Sequence, residues 1–325
     1  MHFSVSVESW PIRGVFRISR GAKTEAEVVV VTAEADGHRG CGEAVPYRRY
    51  GESLESVVAA IEAIRPHLVD GFTRKHLLSL MPAGAARNAL DCALWDLEAK
   101  RAGTSVAALA GLAPPRPVVT AYTLSLDEPA AMAEAARAAA KPLLKLKLAG
   151  DDADIARVAA VHAAAPAARL IVDANEAWAP DQVLPLARAM APLGVVLIEQ
   201  PLPAGADDAL LGLDCPIPLC ADESCHTAAD LSGLLGRYSH VNVKLDKTGG
   251  LTEAIILADA AQTLGLRLMV GCMVGTSLAM APALLLAGRA DFVDLDGPLL
   301  LDLDRVPGLV IDGAVIQPPP PELWG

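Results

Sequence analysis

Three acidic residues stand at the ends of short apolar runs of the chain. Asp173 ends RLIVD, Glu199 ends GVVLIE and Asp222 ends PLCAD. Carboxylate oxygens without His or Cys form a hard ligand set of the kind that Mg²⁺ prefers. Any one of the three could instead cap a helix or pair with a cation. As a set at successive strand ends, they predict one magnesium site.

Lysines follow the same pattern. Lys145 and Lys147 are two residues apart in LLKLKL, so their side chains share one face of a strand, and Lys244 ends HVNVK. A nearby divalent cation or ammonium group disfavours a protonated lysine, which can then act as a base near neutral pH. Two lysines on opposite sides of a metal-bound substrate could remove a proton from one face of a carbon and return it to the other. Lys145 could add electrostatic stabilisation.

Two further aspartates, Asp294 and Asp296, share one face of the run FVDLD. They lie too far along the series of runs to join the three predicted metal ligands. We expect them to bind a cation, and a substrate ammonium group fits. Their spacing alone also allows helix-capping or loop-ordering roles.

The elements that carry these residues alternate regularly. Short β-rich runs are separated by Ala- and Leu-rich helical stretches, and the runs span 118–123, 143–148, 169–173, 194–199, 218–222, 240–244, 267–272 and 292–296. Eight such units predict a parallel (β/α) barrel, whose strands all end at the face where active sites lie. A doubly wound sheet is the competing fold, but its GxGxxG or GxxxxGK[ST] turn is absent from the sequence.

The first part of the chain has a different pattern. A VVVVT strand at 28–32 precedes two helical stretches at 52–64 and 85–100, which favours an α+β domain. A proline-rich segment near 114–117 suggests a boundary. We therefore expect an α+β domain over residues 1–115 and a barrel domain over 116–304.

Composition excludes several classes of partner. The net charge of −12 over 325 residues argues against nucleic acid or an anionic membrane surface, both of which are held by basic patches. No apolar run reaches the roughly 18 residues of a membrane span, and Glu8 and Arg13 interrupt the N-terminal segment where a secretory signal would be apolar. We expect a cytoplasmic protein with reduced cysteines and a small-molecule partner; a homo-oligomer is compatible with the sequence. The group Cys215, Cys220, Cys225 and His226 lacks paired zinc-ligand spacing.

Several motifs resemble the enolase superfamily in its muconate-lactonizing branch: KLK (145–147), IVDAN (171–175), IEQP (198–201), ADES (221–224) and NVKLDKTGG (242–250). A further set resembles the dipeptide epimerases of that branch: FRISRG (16–21), YRRYGES (47–53), PAGAARNALDCALWDLEAK (82–100), CADESCH (220–226) and DLDGP (294–298). These segments cover nearly the whole chain.

The resemblance implies a (β/α)₇β barrel under an α+β capping domain that residues from about 305 to 325 complete. It implies one Mg²⁺ on the three carboxylates, with Lys147 and Lys244 as the acid/base pair and Lys145 as an electrophilic helper. Lys247 is the alternative to Lys244, which we prefer because it directly ends the apolar strand.

The same resemblance assigns the substrate contacts. Asp294 and Asp296 would bind the ammonium group of a dipeptide, and Thr123 would touch the substrate. Arg20 is the candidate for a glutamate side-chain carboxylate, with Arg17, Arg48 and Arg49 in the same two loops as alternatives.

The implied activity is interconversion of L-Ala-L-Glu and L-Ala-D-Glu by 1,1-proton transfer, in the recycling of murein peptides. One alternative is another reaction of the same branch: N-acylamino acid racemisation, o-succinylbenzoate synthesis or cycloisomerisation. The substrates of those reactions lack a free ammonium group, so the cation-binding role expected for Asp294 and Asp296 argues against these reactions. A non-catalytic binding barrel is the alternative outside enzymes, but it would not need both lysines.

Overall fold

The structure is a computed structural model that describes residues 1–68 and 72–325. It begins with an antiparallel sheet of three strands, β1 (His2–Ile18), β2 (Gly21–Ala35) and β3 (His38–Ala44), with β2 in the centre. The helices of this part are α1 (Leu54–Ile64), α2 (Arg74–Leu80), α3 (Ala85–Ala102) and α4 (Val106–Ala110).

Helix α3 packs directly on β3, because two glycines of that strand leave no side chain between the two backbones. A Cβ on Gly40 would lie 2.3 Å from the carbonyl oxygen of Ala93, and one on Gly42 would lie 2.2 Å from that of Ala89. The helical stretch predicted at 85–100 is thus confirmed, and its apolar side chains Leu90, Ala93, Leu94 and Leu97 are each less than 5% exposed.

The second sheet has eight parallel strands in sequence order. They are β5 (Tyr122–Leu124), β6 (Leu143–Lys147), β7 (Arg169–Asp173), β8 (Val195–Glu199), β9 (Leu219–Ala221), β10 (His240–Val243), β11 (Arg267–Gly271) and β12 (Phe292–Asp294). The amide of Ala121 donates to the carbonyl of Val293 at 2.7 Å, which joins the first strand to the last. The predicted barrel is confirmed.

Helices connect most of the barrel strands, and a last short helix follows the final strand. They are α5 (Pro129–Ala139), α6 (Asp154–Ala164), α7 (Pro180–Met190), α8 (Leu231–Leu234), α9 (Leu245–Thr248), α10 (Leu251–Thr263), α11 (Ser277–Ala287) and α12 (Gly297–Leu300). Among the described residues, no helix is both long and apolar enough to span a membrane.

The first predicted strand, 118–123, is wrong as one element. Its start, β4 (Val118–Val119), leaves the barrel and pairs with β14 (Val315–Ile316), which pairs in turn with β13 (Ile311–Asp312). Thr120 fixes the change of direction, because its amide donates to Ala314 and its hydroxyl accepts from the amide of Leu295.

The barrel interior is apolar at one end and charged at the other. Ala121, Leu143, Ile171, Leu197, Cys220, Met269 and Phe292 form a buried plug inside the barrel, one layer below the charged strand ends. Further along β6, the inward positions two and four residues after Leu143 are lysines. The sequence pattern therefore places all of its chemistry at the C-terminal end.

Polar contacts fix α3 to the barrel. Arg87 donates to the carbonyls of Thr248 and Gly249, at 2.6 and 3.0 Å, and Asn88 donates to the Asp246 carboxylate at 2.9 Å. One turn later, Asp91 accepts from the amide and the hydroxyl of Thr252. These contacts hold the capping helix at a fixed position over the barrel.

A further side of α3 receives the indole of Trp324. This side chain is 1% exposed, and its ring nitrogen donates to the carbonyl of Cys92 at 3.1 Å. The Gly325 amide donates to Asp96 at 2.8 Å. The C-terminal residues are thus packed into the same core as the capping helix.

Candidate active site

Three neighbouring strands end in carboxylates. Asp173 and Glu199 are the last residues of β7 and β8 and are direct partners in the parallel register, and Asp222 follows β9. All three are at most 1% exposed. The side-chain amide of Asn242 donates to Glu199 at 2.8 Å, and the amide of Asn175 donates to Asp173 at 3.0 Å. The three predicted metal ligands therefore form one continuous row.

Lys145 lies at the middle of this row. Its Nζ is 2.6 Å from Glu199 Oε2, 3.2 Å from Asp173 Oδ2 and 2.8 Å from Asp294 Oδ2. Burial lowers the pKa of this lysine, but the surrounding carboxylates, Asp294 first, outweigh it and hold the pKa well above its usual range. Lys145 is thus a fixed cation at the centre of the site.

The other two lysines stand at opposite ends of the row. Lys147 Nζ is 2.6 Å from Asp173 Oδ2. Lys244 Nζ is 2.6 Å from Asp222 Oδ2 and 3.9 Å from Glu199 Oε1. A ligand bound at the centre of this row of carboxylates would therefore have one lysine amine on each side.

The charges of the row are mutually dependent. Burial raises the pKa of Asp173 and Asp222, but the facing ammonium groups outweigh burial and depress both values. Burial and the adjacent Asp173 charge raise the pKa of Glu199. Burial lowers the pKa of Lys244, whereas Asp222 and Glu199 raise it to a net value above the usual range. The sequence analysis expects a lysine with a lowered pKa, which requires a cation bound to these carboxylates. In this structure the lysines pair with the carboxylates directly, so the pKa of Lys244 is raised instead.

Lys247 has a different environment from Lys244. Its Nζ donates to the backbone carbonyls of Asp222 and Asn242, at 2.5 and 2.9 Å, and lies 2.7 Å from Asp222 Oδ1. Those contacts tie the end of β9 to β10. The side chain is fully buried among backbone groups, which supports the preference for Lys244 as the reacting lysine.

The predicted cation-binding aspartates lie beside Lys145. Asp296 accepts from the amide of Thr123 at 2.6 Å, and Asp294 Oδ1 is buried without a hydrogen-bond partner. Burial and the neighbouring Asp294 charge raise the pKa of Asp296 to about 7. The structure thus brings together Thr123, Asp294 and Asp296, with a free acceptor for a donor group.

Arg20 reaches the barrel rim from the turn between β1 and β2. One terminal nitrogen donates to Glu223 at 2.6 Å and to the Tyr47 hydroxyl at 2.9 Å. The other donates to the carbonyl of Asn175 at 2.6 Å and to Glu176 at 3.1 Å. Arg20 is therefore close to the site, but its donors are already engaged.

The two glutamates that face Arg20 were not predicted from the sequence. Glu223 directly follows Asp222 in ADES, and Glu176 directly follows IVDAN, so both signals lay in motifs already noted. Burial, then the charges of Asp222 and Asp173, raise the pKa of Glu223 to about 7. Glu176 also accepts from Arg49, one of the alternatives to Arg20.

The donor set suits a hard divalent cation. Over residues 1–68 and 72–325, no three His, Cys, Asp or Glu side chains stand close enough together to hold a metal as positioned, because lysine nitrogens lie between the carboxylates. Glu199 Oε2 is buried and faces Lys145 without hydrogen-bond geometry. The three carboxylates fit a cation that would take over this compensating charge.

A parallel barrel with acidic and lysine side chains at its strand ends, under an α+β cap, defines an enolase-type enzyme. The "Enolase C-terminal domain-like" family model matches residues 129–315, and that of the "Mandelate racemase / muconate lactonizing enzyme, N-terminal domain" matches residues 2–111. The chain belongs to the mandelate racemase/muconate lactonizing enzyme family, and it is an isomerase of the racemase and epimerase class.

Two curated relatives are equally similar in sequence. The L-Ala-D/L-Glu epimerase of Escherichia coli K12 is 50% identical over 93% of this chain and 95% of its own. The N-acetyl-D-glutamate racemase of a Pseudoalteromonas species is 50% identical over 92% of this chain and 95% of its own.

A solved enolase family member from Agrobacterium tumefaciens, described as homologous to dipeptide epimerases, carries bound sodium and L-Ala-L-Glu. It is 51% identical, covers 99% of both chains and has a TM-score of 0.96. More distant dipeptide epimerases, 26–28% identical, were solved with Mg and a dipeptide.

Proposed function

We propose that this protein is a Mg²⁺-dependent dipeptide epimerase that interconverts L-Ala-L-Glu and L-Ala-D-Glu by 1,1-proton transfer, on peptides released from murein. The observation that carries the proposal is the position of Lys147 and Lys244 at opposite ends of one row of carboxylates. Inversion at a carbon needs a base on one face and an acid on the other, and this arrangement supplies both.

Asp173, Glu199 and Asp222 would hold the metal. When bound to the substrate carboxylate, Mg²⁺ would neutralise the charge that builds up as the α-proton leaves. Lys145, between Asp173 and Glu199, would add a second positive charge at the same place. Both are needed, because a positioned base alone contributes about 10²–10⁴ in rate.

The two lysines must differ in protonation state during turnover. The neutral lysine takes the α-proton of glutamate from one face, and the ammonium of the other lysine gives a proton to the opposite face. In the reverse direction the roles exchange. Since the carboxylates raise the pKa of Lys244, a cation that neutralises them would shift that pKa back toward neutrality.

The remaining contacts would orient the dipeptide. Asp294 and Asp296 would bind the alanine ammonium, beside Thr123. Arg20 would bind the glutamate side-chain carboxylate, and it would have to share its donors with Glu223 or release them. These assignments rest on the burial of the aspartates and on the position of Arg20 at the rim.

Racemisation of an N-acylated glutamate is the second candidate, favoured by the 50% identity to N-acetyl-D-glutamate racemase. The two substrates differ at one group, because L-Ala-L-Glu carries an ammonium where N-acetyl-L-glutamate carries none. Two buried aspartates at that place favour the dipeptide, because the unpartnered Asp294 Oδ1 could accept from an ammonium group and would stay without a donor beside a methyl group.

The test compares both substrates in D₂O with Mg²⁺, with α-deuteration followed by mass spectrometry. We expect faster exchange with L-Ala-L-Glu, and a large fall for that substrate alone in Asp296→Asn. The exposed Asp302→Asn is the matched control and should leave both rates unchanged. Faster exchange of N-acetyl-L-glutamate would select the racemase instead.

A further inference from the structure

Two loops of the cap converge on one barrel carboxylate, that of Glu176. Arg49, in the turn Arg48–Tyr50, donates from Nε and Nη2 to the two Glu176 oxygens at 2.7 Å each. Arg20 donates to the same carboxylate at 3.1 Å, and the amide of Ala204 donates at 2.8 Å. The Glu176 side chain is 8% exposed. Its carboxylate is therefore shared by two guanidinium groups with little solvent between them.

The side chains of Arg20, Arg49 and Glu176 together carry a net charge of +1. The Arg49 hydrogen bonds and charge outweigh burial and lower the pKa of Glu176, so the carboxylate is ionised at neutral pH. On the side away from Glu176, Arg20 faces Glu223 at 2.6 Å. Because Arg49 already satisfies Glu176 with two hydrogen bonds, the Arg20 charge is balanced mainly by Glu223, and a substrate carboxylate would share it with that residue.

We propose that Arg49 and Glu176 set the preference of the enzyme for an anionic second residue, acting through Arg20. The inference rests on the proposed function, in which the glutamate side chain meets Arg20. Arg49 and Glu176 are positioning residues: they fix the Arg20 guanidinium and determine the net charge around it. Arg49 adds to the attraction for a substrate carboxylate, and Glu176 subtracts from it.

A purely mechanical link between cap and barrel would behave differently. It would change the turnover of every dipeptide by a similar factor. Charge compensation acts on glutamate and spares glutamine, which has nearly the same shape and no charge. The ratio of kcat/KM for L-Ala-L-Glu to that for L-Ala-L-Gln therefore separates the two roles. Arg49 is 39% exposed beside an open cleft, so its replacement leaves no buried cavity.

The experiment measures this ratio with saturating Mg²⁺ in a set of matched variants. Arg49→Gln brings the charge of the three side chains to zero and should lower the ratio about fivefold to tenfold, the effect of removing one partly screened unit charge near the substrate carboxylate. Glu176→Gln should raise the ratio by a similar factor. Arg49→Lys keeps the charge and should stay near the wild type, as should the double variant Arg49→Gln/Glu176→Gln, which restores +1.

Equal changes for both dipeptides in Arg49→Gln and Glu176→Gln would overturn the inference and leave a mechanical link. Arg20→Gln separates this failure from that of the proposed function. The preference for glutamate could be lost in Arg20→Gln and stay unchanged in Arg49→Gln and Glu176→Gln. That result would refute only the role of Arg49 and Glu176. If the wild type exchanges the α-proton of neither dipeptide, the proposed function is refuted, and this inference is refuted with it.

Discussion

Removing one lysine at a time should split the reaction into its two halves. In Lys147→Ala, Lys244 remains on its face of the substrate, so it can still exchange the α-proton of one epimer with solvent but cannot complete the inversion. In Lys244→Ala, Lys147 should exchange the other epimer. Epimerisation should be lost in both variants. The opposite preference of the two variants is the specific expectation.

The expected loss of rate follows from the role of each amine as an acid or base, and the expected loss of stability follows from its contacts. Loss of a positioned acid or base costs about 10²–10⁴ in rate, or about 3–5 kcal/mol of transition-state stabilisation. Lys147 contacts Asp173 alone among the three carboxylates, whereas Lys244 contacts Asp222 closely and Glu199 at 3.9 Å. Lys244→Ala should therefore also lower the stability of the metal-free protein more than Lys147→Ala does, because it leaves more buried carboxylate charge without a partner.

The assay starts from each pure epimer in D₂O and follows α-deuteration by mass spectrometry and inversion by polarimetry. Lys247→Ala is the matched control, because Lys247 also contacts Asp222 but mainly binds backbone carbonyls. It should lower stability and slow both epimers alike. Inversion at the wild-type rate in either Lys147→Ala or Lys244→Ala would refute the two-base reasoning.

Three further predictions concern stability and the metal. Burial raises the pKa of Asp246 from 3.8 to about 7, so the native state keeps a proton that the unfolded chain releases, and stability falls as pH rises through that window. Asp246→Asn should remove about 2–4 kcal/mol of this pH-dependent loss of stability. Urea unfolding at several pH values between 4 and 8 measures it, and an equal pH dependence of the unfolding free energy in variant and wild type would contradict it. Trp324→Ala empties a buried site and should cost about 3–5 kcal/mol in the same assay, with a loss under 1 kcal/mol counting against the packing described. Chelation by EDTA should stop α-proton exchange and added Mg²⁺ should restore it, so exchange that persists in EDTA would exclude the metal.

The central row was predictable from the sequence because a parallel barrel brings all strand ends to one face. Asp173, Glu199 and Asp222 needed only the correct strand ends to become neighbours, and the structure places them side by side. Lys145 and Lys147 followed from the two-residue period of β6. Their roles as ligands, helper and base remain predictions that the experiments above address.

Contacts that depend on loop geometry were not predictable in the same way. Arg20 and Glu176 lie 156 residues apart in irregular segments, so no period relates them. Lys247 points to backbone carbonyls because α9 begins right after β10, which residue spacing alone does not reveal. The first barrel strand was misplaced because five of the six residues of VVTAYT favour strands, and the run does not mark the break at Thr120. The division at residue 115 and the completion of the cap by residues 305–325 also remain predictions.

The polar row on α3 has a consequence for how new specificities can arise. Arg87, Asn88 and Asp91 bind barrel groups that lie within eight residues of Lys244 along the chain, so exchanging that helix between relatives would disturb the lysine proposed as a catalyst unless both sides changed together. The turns that carry Arg20 and Arg49 stand outside this row. On the proposed function, substitution of a few residues in these turns would therefore alter which substrate side chain is accepted and leave the lysine pair in place.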